Sequence, residues 1–249
     1  MLTVGTEKVN VPEVDQWCFG IRVNRGWVTG QQMKITPIIF LLLSLSAPSL
    51  QADTHPPFVG QDFRGVVCAG FSGGYGPFDY TQRGRYAEQL RTVKSHHFNS
   101  NVESLTRGQT TMLPYGDLAY TLRAWPNHHR ALNSISRYQL KANRKNQALE
   151  IPAECWFQRA ILYSPKDATT YMLYGIYLQK AGKAAMAKEQ YQAALAIDPD
   201  NIEANYNYGL LLVTLKEYEA ARKHAKNAYD AGFPLPGLRN QLTRAGQWP

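Results

Sequence analysis

The chain has 249 residues, 27 Lys and Arg against 19 Asp and Glu, a formal charge of +8, and 44% hydrophobic residues. That length suits one or two globular domains, and that balance excludes an acidic or wholly disordered chain. Fourteen Pro and nineteen Gly are close to average usage, which excludes a collagen-like repeat and a Pro/Gly linker.

Residues 1–32 carry no sustained helical or strand periodicity and precede a targeting signature. They read as an upstream extension from a start codon assigned too early, the other reading being a long translated leader. Residues 33–52 read as a secretory signal peptide. Met33 and Lys34 form a short basic start, Ile35 to Leu45 an apolar run, and Ala47 to Ala52 supply Pro, Ser and small residues for cleavage. The apolar run is too short for a bilayer core of ~30 Å, which needs about 20 apolar residues, so no stable membrane span is expected after cleavage. Cleavage is expected after Ala52, although Leu50 at the minus-three position is larger than the usual small residue. Removing residues 1–52 takes away four bases (Lys8, Arg22, Arg25, Lys34) and three acids (Glu7, Glu13, Asp15), leaving +7. The expected location is the periplasm.

From 53 to 98 the composition shifts to Gly, Pro and aromatics, as in CAGFSGGYGPFDYTQRGRY. Gly73 and Gly74 give a permissive backbone, Pro77 fixes a turn, and Tyr75, Phe78 and Tyr80 are apolar anchors without helical spacing. This predicts an irregular arm docked through its aromatics. Neither GxxxxGK followed by Ser or Thr nor GxGxxG occurs there, so no nucleotide cofactor is expected. Residues 99–127, with NSNVESLTRG and GDLAYTLRAW ending at Pro126, suggest a degenerate helix pair. HHRALNSISRYQLK and CWFQRAILYSP form a second pair over 129–167, with a long basic loop holding Lys141, Arg144 and Lys145.

A period of 34 residues then becomes legible. In 168–201, Tyr171, Tyr174, Gly175, Gly182, Ala187, Tyr191 and Ala194, followed by Pro199, alternate large, small and turn residues as a helix-turn-helix unit requires. Thirty-four positions on, in 202–235, Tyr208, Gly209, Tyr218, Ala221 and Ala228 recur, while Lys216 replaces the turn Gly and Ala225 replaces the aromatic Tyr191. Those two departures predict looser packing on the next element. Residues 236–249 read as a capping helix. These units resemble tetratricopeptide repeats (TPR), and with GYGPFDY and DLAYTLRAWPNHHRAL the whole mature chain is similar to a group of secreted proteobacterial TPR proteins. The resemblance implies export and fold but no activity. The competing account is generic amphipathic helices with coincidental Gly and Ala. The expected fold is all-α, a short TPR-type helical solenoid preceded by an irregular Gly/aromatic-rich N-terminal arm.

Cys68 and Cys155 are the two cysteines of the mature chain, Cys18 lying in the upstream extension. An exported protein invites a disulfide between them, the alternative being two separate thiols with Cys155 a small core residue beside Trp156. His96, His97, His128 and His129 form two adjacent pairs that could bind zinc or copper if they converged. Neighbouring residues point apart, however, and neither HxxxH nor HExxH occurs, so capping or exposed histidines are expected and no metal site. No catalytic constellation is evident: no nucleophile stands with a base and an orienting acid in local register.

The resemblance places helix A of each repeat along a concave surface that holds a peptide or partner helix. The groove residues it implies are Thr169, Met172, Ile176 and Gln179 in one repeat and Glu203, Tyr206, Asn207, Leu210 and Val213 in the next. Met172 and Ile176 stand where chaperone-binding TPR proteins carry a charged or amide carboxylate clamp, so an apolar ligand is expected, or else the chain's own arm. The expected function is a non-catalytic exported interaction module with an unidentified periplasmic or envelope protein as partner. The alternatives are a metal-binding protein or enzyme using the paired histidines, and anionic lipid binding through basic loops. The +7 charge reads as diffuse, and export disfavours nucleic acid.

Overall fold

A computed structural model of the chain describes residues 55–248, so the upstream extension and the signal peptide lie outside the described residues. The described part is helical: a 3₁₀ turn at Tyr80–Gln82, then α1 Ala87–His97, α2 Ser100–Ser104, α3 Pro114–Ala124, α4 His129–Asn143, α5 Ala153–Tyr163, α6 Ala168–Lys180, α7 Ala184–Ile197, α8 Ile202–Thr214, α9 Tyr218–Asp230 and α10 Gly237–Arg244. The isolated antiparallel bridge Gln61↔Val67 is the extended pairing among the described residues.

Local chemistry sets where the helices start and stop. Asn99, His128, Asp167 and Asn201 each stand just outside a helix and accept a backbone N–H from its first turn with the side chain. Pro114 opens α3, where its missing N–H costs nothing. Between α6 and α7 the chain turns at Gly182, whose φ of +75° lies in the left-handed region that Gly occupies freely. The matching position between α8 and α9 is Lys216, which adopts the same conformation at φ +63° without that freedom.

The helices lie in two rows. In one, α2, α4, α6 and α8 pack side by side and α10 closes on α8; in the other, α3, α5, α7 and α9 alternate with them, each odd helix touching its even neighbours. Gly175 is the closest approach within α6 and α7, for a Cβ there would stand 2.8 Å from the Tyr191 ring. One repeat later the structure departs from the sequence expectation of looser packing. Ala225 stands where Tyr191 stood, and the space is taken by Leu238 of α10, whose Cδ2 would lie 2.5 Å from a Cβ on Gly209. Ala225 and Leu238 are both fully buried. The terminal helix therefore supplies the bulk that helix B lacks.

The segment expected to be irregular from 53 to 98 is irregular only as far as the turn at Tyr80–Gln82, because 87–97 forms α1. The reason is that the Gly and Pro content ends by Gly84, leaving AEQLRTVKSHH, whose Val93 points into a small core with Ala124 and Trp125. The rest of the arm is held across the helices by buried polar bonds described next.

Candidate interaction surface

The arm is clamped to α3, α5 and α6. Cys68 and Cys155 are joined by a disulfide with Cα atoms 5.5 Å apart, closing a span of 87 residues. Beside it, Arg159 is wholly buried and donates to three carbonyls: Nε to Pro56 (2.8 Å), Nη1 to Leu122 (2.8 Å) and Nη2 to Ser72 (3.2 Å). Burial pulls the pKa of this guanidinium down to about 10, and it stays charged at neutral pH. Glu154 accepts the Phe63 N–H with one oxygen and the Tyr177 hydroxyl with the other. Phe58 meets Trp156 edge-on at 4.9 Å, and Phe63 stacks on Tyr177 at 5.8 Å. Neither Arg159 nor Glu154 is singled out by any sequence motif; within ECWFQRAILY both look like exposed helical charges.

The histidine pairs do not converge. His97 donates from Nδ1 to Asp117 at 2.9 Å, and His129 donates from Nε2 to Asp167 at 2.8 Å. His128 is the buried cap of α4, its Nδ1 accepting the Ala131 N–H. Asp117 also accepts the backbone N–H groups of Gln109, Thr110 and Thr111 and the Thr111 hydroxyl, which hold its carboxyl below the usual carboxylate range. Asn127 donates to both Asp79 and Asp167, joining the 79–81 turn to the starts of α4 and α6. Apart from the buried His128 Nε2, each of these groups is satisfied by its neighbours, and among the described residues no three His, Cys, Asp or Glu side chains gather as metal ligands.

The expected groove residues on α6 and α8 are only partly open. Glu203 is exposed; Thr169, Ile176, Asn207, Leu210 and Val213 are half-buried. Gln179 is half-buried and accepts the Tyr191 hydroxyl at 3.0 Å. Met172 and Tyr206 are buried, so the row is closed at those two positions. Tyr206 lies 4.2 Å from the Phe233 ring, and Gly237 comes so close to its hydroxyl that a Cβ there would stand 2.6 Å away. The cover on Tyr206 is thus the α9–α10 connection and not the aromatic arm, whose ring contacts go to Trp156, Tyr177, Trp125 and the 128–129 histidines.

At the other end of the even row lies a set of residues the sequence reading left out. The caps Asp167 and His128 are 39 positions apart, so Thr169, Met172, Ile176 and Gln179 on α6 correspond to Arg130, Asn133, Arg137 and Leu140 on α4. Arg130, Asn133 and Arg137 are exposed, as is Lys141 one position further. Between α1, α2 and α4 an open cleft of about 550 Å³ is walled by Arg83, Arg91, Lys94 and Arg130, with Leu90 and Phe98 in its floor. Glu103 is its acidic residue, paired with the Arg130 guanidinium, while the Glu103 carbonyl accepts from Arg137. Charge is not spread evenly along the chain: residues 80–150 hold eleven bases (Arg83, Arg85, Arg91, Lys94, Arg107, Arg123, Arg130, Arg137, Lys141, Arg144, Lys145) against four acids (Glu88, Glu103, Asp117, Glu150), a net +7. Counting charge by segment reveals this; counting it over the whole chain hides it.

A tetratricopeptide repeat family model matches residues 190–223. The chain carries tetratricopeptide repeats. The matched frame begins inside α7, takes in all of α8 and ends inside α9, so it covers the junction between the two most regular TPR units. The human protein O-mannosyl-transferase TMTC3 is 32% identical over 114 residues, a match covering 45% of this chain and 12% of that protein. The chain thus spans a small part of that relative's length.

Proposed function

We propose that the protein is a non-catalytic exported scaffold, and that the even-numbered TPR helices hold a peptide or helix of an envelope protein. The observation that carries this reading is the unbroken side-by-side row α2, α4, α6, α8, with exposed or half-open side chains at three of the four shared register positions on α4, α6 and α8. A row of that kind presents one long face to an elongated ligand. Export is read from residues 33–52 and is supported by the Cys68–Cys155 disulfide, since such bonds persist in oxidising compartments. The titratable groups that could serve chemistry, Asp117, His129 and Asp167, are consumed in structural bonds. A photo-crosslinking residue placed at Asn207 or Val213 in cells is expected to trap a discrete partner, while one at Lys226 on α9 traps none. The same adducts from all three positions, or none from any, would overturn the reading.

A further inference from the structure

We infer that the N-terminal end of the even row is a docking cleft for an acidic peptide segment that also carries an apolar side chain. This rests on the reading of that row as the binding face and adds the chemistry of the ligand. Four cations, Arg83, Arg91, Lys94 and Arg130, stand around one cleft whose acidic residue, Glu103, is already taken by Arg130. Arg137 and Lys141 continue the same positive edge along α4. Cations gathered this closely repel one another within the ~10 Å screening length of ordinary salt, and an anionic ligand relieves that repulsion.

The shape selects among anions. The cleft volume of about 550 Å³ falls in the range of sites that enclose a ligand. Its floor is apolar and recessed, with Leu90 half-buried and Phe98 only 2% exposed. A flat bilayer cannot reach such a floor, since membrane-surface helices instead project apolar side chains outward between their cations. A peptide can place an apolar residue on Ala87 and Leu90 while flanking carboxylates meet Arg83, Arg91 and Lys94. Each exposed pair contributes little alone, about 0–1 kcal/mol, so binding depends on several together and on salt.

The test is to pan a random dodecapeptide display library on the full chain at low salt and to synthesise the strongest binder with a fluorescent label. Enriched peptides are expected to be acidic with interspersed apolar residues. Anisotropy of the labelled binder should show at least about tenfold weaker affinity for Arg91→Glu/Lys94→Glu, and a comparable loss on raising salt to about 0.5 M. The control Lys223→Glu/Lys226→Glu on α9 should change it less than about twofold, a surface charge remote from the contact having little effect. Arg91 and Lys94 are exposed, and unchanged circular dichroism melts verify that the variant is folded. Enrichment without acidic bias, or binding indifferent to the Arg91 and Lys94 reversals, overturns the inference. So does charge-dependent sedimentation with phosphatidylglycerol vesicles in the absence of any acidic binder, which would assign the face to membrane. If the Asn207 crosslinks fail while the acidic peptide binds as described, the wider groove falls and this cleft stands.

Discussion

His128 caps α4 through Nδ1, lies buried with no hydrogen-bond partner for Nε2 among the described residues, and has its pKa driven down to about 3, first by burial and then by the neighbouring His129. Its folded form is neutral, whereas in the unfolded chain it protonates near the ordinary value of ~6.5. Because the unfolded state then binds more protons, stability falls as pH drops from about 6.5 toward 3, at a limiting rate of about 1.4 kcal/mol per unit. His224, whose pKa burial also lowers, adds in the same direction. Asp117 and Asp167 have the opposite chemistry and a lower window: their carboxyls are held below the usual range, so their contribution is complete above about pH 4 and is lost as pH falls through their folded values. Urea titrations at a series of pH values are therefore expected to show stability declining well above the carboxylate range. His128→Asn, which keeps a capping acceptor, should flatten the decline between pH 6 and 4. At Lys216 the left-handed backbone strains a residue with a Cβ. Lys216→Gly should raise stability by up to about 1 kcal/mol, the relief of strain being partly offset by the freedom glycine adds to the unfolded chain; an unchanged or lower melting temperature would contradict this.

The pairing of α8, α9 and α10 explains why a repeat that lacks its aromatic still packs. Leu238 fills over Gly209 the place that Tyr191 fills over Gly175, so the cap is part of the second repeat's core. Truncating Leu238 to Ala is expected to cost about 2–5 kcal/mol, as for other fully buried leucines. Restoring the repeat pattern with Ala225→Tyr should destabilise as well, since the new ring and Leu238 would compete for one space. Thermal melts of both variants check this, and a stabilised Ala225→Tyr would show that the cap is merely adjacent. The 34-residue units were legible in the sequence because their determinants are local: small residues at close approaches, a turn residue, and apolar positions at helical spacing. Leu238 was not, because nothing in LPGLRNQLTRAGQWP says which groove its leucine enters. In the same way α1 was hidden behind the Gly-rich run that precedes it, and the burial of Met172 and Tyr206 was hidden because it depends on what packs above them.

Across the whole molecule, the arm is fastened by a disulfide and by hydrogen bonds with the buried side chains of Arg159 and Glu154. The disulfide closes 87 residues, a loop whose constraint on the unfolded chain contributes about 4–5 kcal/mol on chain-entropy grounds. Arg159 holds three arm and helix carbonyls without a carboxylate partner in those bonds, so Arg159→Ala leaves buried acceptors unpaired and should cost about 3 kcal/mol or more. Cys68→Ser is expected to lower stability with the arm still resistant to limited proteolysis, whereas the double variant with Arg159→Ala should be cut between 55 and 80 while the helical core survives. Equal cleavage of the single and double variants would show that Arg159 does not hold the arm. The sequence alone determined the helical repeats, because these follow from residues close together in the chain, while it left Cys68 and Cys155 open between a bridge and separate thiols until the structure joined them. Only the tertiary structure decided that Glu154 and Arg159 are buried clamps, that the histidines serve separate aspartates and a cap, and that the basic residues of α1 and α4 face one cleft. Those facts depend on which distant segments meet, and burial and charge environment are properties of the meeting rather than of either segment.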